Sequence, residues 1–205
     1  MMSETKPTLK PVLVADLRPT QITVGYHEVA LKRHELRALS VTKAGAFLGH
    51  HFVPVVLGPK GRNHIVDHHH LARALYEEGV KDVFVTVIAD LSMLDKEAFL
   101  VVLDNRAWMH PFDATGKRRP YAEIPKSVDR LVDDPYRSLA GEVRRRGGYA
   151  KDLTPFAEFL WADFFRRRVD LALMKDDFDK ASRQALQLAR QTVANYLPGW
   201  SGADM

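Results

Sequence analysis

The sequence contains no cysteine. Disulfides, thiolate nucleophiles and cysteine-bound metal modules are thereby excluded. No apolar run is long enough to span a bilayer, and Met1 to Lys10 lacks the apolar core of a secretory signal. The cytoplasm is therefore the expected address, and a membrane is not an expected partner. Strong charge imbalance is missing too: a net charge of +4 permits contact with a nucleotide or nucleic acid without demanding it. There are no internal repeats or low-complexity stretches. What remains is 205 residues, 46% hydrophobic and 27% charged, enough for one domain with an extension or two small domains.

The most informative stretch runs from Asn63 to Leu75. Ile65 and Val66 end a β-type run, and Asp67 is a suitable N-cap because its carboxylate accepts from first-turn amides. Leu71, Ala74 and Leu75 repeat at helical spacing, and Gly79 supplies a stop. A strand thus turns directly into a helix with His68, His69 and His70 in its first turn. Free amides and the positive dipole end of such a helix attract phosphate. On a helical wheel His69 and Arg73 lie opposite Leu71 and Leu75, giving an anion-facing edge and a core-facing edge. Two other readings stay open. Consecutive histidines point about 100° apart and make a poor metal site alone, although His64, His50 or His51 would add ligands. The corner also reads as an ordinary solvated helix start.

Around this corner the expected order is β–α–β–β–α–β–α, an α+β or α/β pattern. Val12 to Ala15 is a strand, Asp16 to Gly25 a loop, and Glu28 to Ser40 a helix with Val29, Leu36 and Leu39 for the core. Glu28 and Lys32 stand at i, i+4, the spacing of a surface pair. Phe52 to Leu57 is a strand that Pro54 pushes toward an edge or a strand start. Gly58-Pro59-Lys60-Gly61 is a tight basic turn. Val83 to Ile88 is the clearest strand, and Ser92 or Asp95 opens a helix to about Leu103. The irregular middle, Asp104 to Pro125, interleaves Trp108, His110 and Asp113 with Arg118 and Arg119, suiting phosphate or base contacts or a loop pinned by Trp108 and Pro111. Ser127 to Val132 reads as a short helix, and Asp133-Asp134-Pro135 starts another that Gly147-Gly148 ends. A long amphipathic helix from Pro155 to Met174 carries Phe156, Phe159, Leu160, Phe164 and Val169 on its apolar side. Asp176 or Asp177 begins the last helix.

The segments Leu17 to Gly25, Asp67 to Leu75, Trp108 to Asp113, Asp133 to Ala140 and Phe156 to Asp163 together resemble the ParB/sulfiredoxin superfamily, in the branch known as ParB-like nucleases. The resemblance implies an α+β fold: a small mixed-sheet domain over residues 1–110 and a mostly helical extension over 111–205 packed on it. It also implies phosphate at the turn matched by Asp67 to His70. Partition proteins of the superfamily carry Gly-Glu-Arg-Arg there, so two arginines are replaced by imidazoles. Sulfiredoxin chemistry needs a cysteine that this chain lacks. The serine kinases place a glutamate near the position of Gln21; glutamine is no base, so Glu28 has to take over that role. No helix-turn-helix for operator reading is evident.

Three functions follow. In the first, a nucleotide or phosphorylated small molecule rests on the amides of His68 to His70 and undergoes phosphoryl transfer or hydrolysis. The candidate phosphate contacts are Thr20, Gln21, Lys60, Asp67, His68, His69, His70 and Arg73, and the candidate catalytic residues are His69, His70, Glu28 and Lys32. Magnesium held by Asp67 or by substrate oxygens is the expected metal, although Asp67 is equally explained as a cap. Titration of the histidines near pH 6 to 7 predicts tighter phosphate binding as pH falls. The second is a metal-dependent phosphodiesterase using Asp133, Asp134, Glu158 and Asp163, with His69 or His110 as acid or base. The third is a non-catalytic nucleotide- or DNA-binding module using Arg118, Arg119 and Arg144 to Arg146.

Overall fold

The structure, a computed structural model, describes residues 10–38 and 52–202. Its strands are β1 (Lys10–Leu13), β2 (Thr23–Val24), β3 (Val53–Gly58), β4 (Arg62–Ile65), β5 (Asp82–Asp90) and β6 (Val132–Asp133). Four form a curled sheet in the order β1-β5-β3-β4, with β5 parallel to β3 and antiparallel to β1, and β4 antiparallel to β3. In β5, buried Val83 and Val85 alternate with exposed Asp82 and Phe84, the period-two signature of a strand with one face on a core. β3 lies inside the sheet, and Pro54 precedes the β4 register, which begins at Val55. The pair β2 and β6 is parallel and only two residues deep, too short to leave a periodic trace in the sequence.

Helix α1 (Tyr26–Arg37) starts two residues before the expected Glu28; Leu39, Ser40, His50 and His51 lie outside the described residues. Helix α2 (His69–Glu77) buries Leu71, Ala72, Ala74 and Leu75. Gly79, at φ +70°, ends it: its N–H reaches Tyr76 and that of Val80 reaches Leu75, the paired bonds of a left-handed C-cap. Helix α3 (Lys96–Asn105) is capped by Asp95, whose carboxylate accepts from Ala98 N–H. The chain thus shows the α+β order read from the sequence, with β2 added.

Past residue 105 the path is irregular, and the expected helix at Ser127 is a single 3-10 turn, Val128–Arg130, running into β6. Helix α4 (Pro135–Arg145) begins at Pro135 with Asp134 as its cap. The expected long helix from Pro155 to Met174 is instead α5 (Ala157–Arg166) and α6 (Leu171–Asp176), because Asp170 caps a new start by accepting from Ala172 N–H. Its buried face is also different. Trp161, Ala162, Phe164 and Phe165 are buried, whereas Leu160 is 46% exposed and Phe156 precedes the helix. Helix α7 (Phe178–Ala189) follows, capped by Asp177.

One apolar cluster joins the sheet to α1 and α2, and a second joins Val56 to Phe99 and Leu103 of α3. A third, around Trp161, joins α4, α5 and α7. Trp161 stacks on Tyr149 at 4.2 Å and donates to the carbonyl of Pro198. The tail is pinned beside it: Ala150 N–H donates to Gly199 O, and Tyr149 bridges to Trp200. Among the described residues no helix is long and apolar enough to cross a membrane.

Candidate functional site

The strand-to-helix corner forms where expected, by a different device. Asp67 is not the cap: its carboxylate accepts from the N–H of His68. His68 is the cap residue, left-handed at φ +65°, and makes no side-chain capping bond. The first in-helix amide bond runs from Ala72 N–H to His68 O, so the N–H groups of His69, His70 and Leu71 have no carbonyl one turn earlier within the helix.

The imidazoles are not a solvent-facing anion edge. His69 is 4% exposed, and its Nε2 accepts the backbone N–H of Thr20 at 3.1 Å. Nε2 of His70 accepts the N–H of Gly25 at 3.0 Å. A nitrogen that accepts from an amide carries no proton, so both rings are neutral with their N–H at Nδ1. Burial, then the nearby positive charges of Arg137 and His68, push His69 down to about 3. His70 is lowered in the same way, by burial first and Arg137 next. The expected gain of positive charge between pH 7 and 6 therefore does not occur at these rings. They fasten the 20–25 loop to α2, helped by Thr20 Oγ1, which donates to Ile65 O at 2.7 Å.

That loop, the corner and the helical part enclose a cleft of about 510 Å³. It brings together Gln21, Glu28, Lys32, Asp67, His68, His69 and His70. Thr20 sits behind its wall. Lys60 is exposed in its turn at φ +65° and does not line the cleft. Arg73 does not line it either: it pairs with Glu77 at 2.6 Å and donates to the carbonyls of Val128, Asp129 and Leu131. Nor do Glu28 and Lys32 pair with each other. Lys32 reaches Glu35 at 2.9 Å, and Glu28 accepts from Arg145 at 2.7 Å.

The opposite wall comes from α4, α5 and the segment between them: Arg137, Arg144, Tyr149, Lys151 and Glu158. Arg137 is the residue that sequence reasoning missed. Its side chain is 5% exposed, its Nε and Nη1 have no hydrogen-bond partner among the described residues, and Glu158 is 3.7 Å from Nη2. The guanidinium lies 3.5 Å from the centre of the Phe159 ring. Burial lowers its pKa, opposed by Glu158 and Asp134. A buried cation with unspent donors is costly unless an anion joins it.

The carboxylates weighed as metal ligands are used elsewhere. Asp133 accepts from Tyr26 N–H at 2.7 Å; Asp134 caps α4 and takes Arg166 at 2.6 Å. Glu158 pairs with Arg144, and Asp163 with Arg166 and Arg167. Among the described residues no three His, Asp or Glu side chains converge as a metal site. The basic runs are likewise engaged, Arg118 with Asp104, Arg119 with Glu123 and Arg146 with Glu142 and Asp179.

A family model described as "Putative ParB-like nuclease" matches residues 10–167, which includes every cleft residue named above. The chain belongs to the ParB-like nuclease family. The ParB-like chain is also similar to a crystal structure of protein Atu1540 from Agrobacterium tumefaciens, with 50% identity, a TM-score of 0.92, and coverage of 97% of this chain and 99% of that one. A C-terminally truncated ParB from Caulobacter crescentus, complexed with CTP-γ-S, aligns over 90% of this chain and 93% of its own at 12% identity. Its TM-score of 0.34 is too low to carry structural weight. Among curated proteins, none matches.

Proposed function

We propose that the cleft binds the phosphate end of a nucleotide. The observation that carries this reading is Arg137, a buried guanidinium with unmatched Nε and Nη1 on the wall of a cleft that also holds the first turn of α2. A phosphate between them meets helix amides from one side and a cation from the other. The Nδ1–H groups of neutral His69 and His70 are further donors on cleft-lining rings, and Lys151, exposed at the rim, adds a positive charge. In this reading residues 1–110 supply the helix end and residues 111–205 close over it, since Arg137, Arg144 and Glu158 all come from the second part.

Glu28 is the carboxylate we assign as base for phosphoryl transfer or hydrolysis. It takes the proton from an attacking hydroxyl or water as that oxygen bonds to the terminal phosphorus. The bridging oxygen leaves with its electron pair on the nucleoside diphosphate. Magnesium normally keeps several waters and takes substrate phosphate oxygens. Asp67, whose side chain is 77% exposed, and Asp152, which accepts from Thr154 N–H, are cleft carboxylates with no lysine or arginine partner among the described residues. These residues do not form a magnesium cage, so any such ion arrives with the nucleotide. The metal-dependent nuclease reading lacks a converging carboxylate set among the described residues.

Thermal-shift titration with nucleoside triphosphates and inorganic tripolyphosphate, each with and without magnesium, tests the reading by linkage. A rise in Tm that Arg137→Gln abolishes is expected. A Tm indifferent to every one of these anions sinks it.

A further inference from the structure

Glu158 is a carboxylate on the wall of a cleft read as an anion site. Among the described residues it is the one cleft carboxylate that contacts cleft-lining cations: its oxygens meet Arg144 and stand 3.7 Å from Nη2 of Arg137. Glu28 is answered by Arg145, which does not line the cleft, and Asp67 and Asp152 accept from nearby amide N–H groups. A carboxylate in the first turn of α5 suits the positive end of that helix. That accounts for the residue type and not for its reach onto α4.

Arg137 and Arg144 are seven residues apart on α4, so they stand on one stripe of the helix, two turns from each other. Glu158 approaches both. Its contact with Arg137 is an ion pair, too long for a hydrogen bond, and Arg137 Nε and Nη1 stay unmatched among the described residues. Two cations and one anion therefore meet on the wall facing the first turn of α2. A phosphate oxygen offers these guanidiniums the same kind of acceptor as a carboxylate oxygen, and the two cannot occupy one place. With Glu158 seated, an incoming anion also meets a like charge.

We propose that Glu158 is a built-in competitor for the phosphate: in the free protein its carboxylate fills the place between Arg137 and Arg144 that the ligand takes, and it leaves them when the ligand binds. The proposal rests on the phosphate reading above and adds how that site is tuned. Glu158 keeps a buried guanidinium beside a counter-charge while the cleft is empty. It also refills the site as the anion departs, so affinity is held down and release is eased. Glu158 is thus a positioning residue, acting on the ligand through two arginines.

Calorimetric titration of the full chain with inorganic tripolyphosphate tests this, in the unmodified protein, Glu158→Gln and Glu123→Gln. Glu123 pairs with Arg119 away from the cleft, so its change removes the same charge elsewhere. We expect Glu158→Gln to bind tripolyphosphate about tenfold tighter, the effect of removing a like charge at about 4 Å in a partly wetted cleft. The same variant without ligand should melt lower, because Arg137 loses the carboxylate at 3.7 Å. A residue that only held α5 to α4 would lose affinity and stability together. Affinity in Glu158→Gln equal to or below that of the unmodified protein overturns the proposal and leaves the phosphate reading standing. Equal tightening in Glu123→Gln reduces the effect to bulk charge and overturns it as well. A crystal structure of the unmodified protein with tripolyphosphate decides the matter even where the variant fails to fold: phosphate oxygens on both arginines with Glu158 withdrawn is the expected result, and a bound anion beside an intact Glu158–Arg144 contact overturns it. Tripolyphosphate binding to none of the three proteins refutes the phosphate reading and this proposal with it.

Discussion

Lowering the pH should destabilise this fold well before its carboxylates titrate, and His69 is the reason. Its Nε2 accepts from Thr20 N–H, and Thr20 Oγ1 spends its hydrogen on Ile65 O. A proton added at Nε2 would face the amide hydrogen head-on. In the unfolded chain the same ring protonates freely near 6.5, whereas the folded value is about 3. For a histidine lowered on folding, the stabilisation is complete above 6.5 and is lost as pH falls toward the folded value. Between pH 7 and pH 5 each such ring costs about 1.9 kcal/mol. His110, also held at about 3 by burial and Arg137, behaves alike, and His64, at about 4, follows closely. His69 and His110 alone then remove about 4 kcal/mol of a typical 5–15 kcal/mol. The assay is chemical denaturation at closely spaced pH values from 7.5 to 5. His69→Gln, whose amide oxygen accepts from Thr20 N–H, should lower the proton uptake on unfolding near pH 5.5 by about one. A flat stability profile, an unchanged slope in that variant, or an NMR titration of His69 near 6.5 in the folded protein would refute the reasoning.

Four further outcomes are expected. Arg137→Met should abolish the nucleotide-induced Tm shift while stabilising the ligand-free protein by about 1–3 kcal/mol, because buried unmatched donors disappear; urea midpoints of the free protein check the second half. Glu28→Gln should eliminate phosphate release in a coupled colorimetric assay and leave nucleotide affinity within a few fold, whereas undiminished turnover would remove Glu28 as base. Gly25→Ala should cost about 1–3 kcal/mol, since a Cβ there stands 2.5 Å from Ser138 Oγ and 2.6 Å from its amide nitrogen; an unchanged melting temperature would contradict the packing. Arg73→Lys should destabilise without altering phosphate affinity, because one ammonium cannot serve Glu77 and the carbonyls of Val128, Asp129 and Leu131 together.

The parts of this molecule visible from sequence are those where local chemistry and tertiary structure agree. Val83 to Ile88, Gly79 and Asp95 each did locally what the fold needed. The helix after Asp67 was visible for the same reason, although the chain caps it through a left-handed His68 rather than through the Asp67 side chain. The orientation of His69 was hidden because its partner, Thr20, is 49 residues away. Helical geometry alone sets such a ring on a face, and only the 20–25 loop decides that the face is interior. Arg137 was concealed by company. Arg137 stands among Tyr136, Ser138, Leu139 and Ala140, where α4 is buried on every side, and an arginine in a new helix normally signals solvent. The split between α5 and α6 was legible at Asp170, a good cap passed over because the aromatic run suggested continuity.

The far end of the chain has a reach that its distance from the α2 corner conceals. A Cβ on Gly199 would stand 2.1 Å from the carbonyl oxygen of Ala150, and the Ala150 amide is in turn held by the Gly199 carbonyl. Tyr149 and Lys151, on either side, belong to the cleft. Trimming the protein before Pro198 would thus unbutton the rim from behind and blunt ligand capture with every contacting side chain still in place.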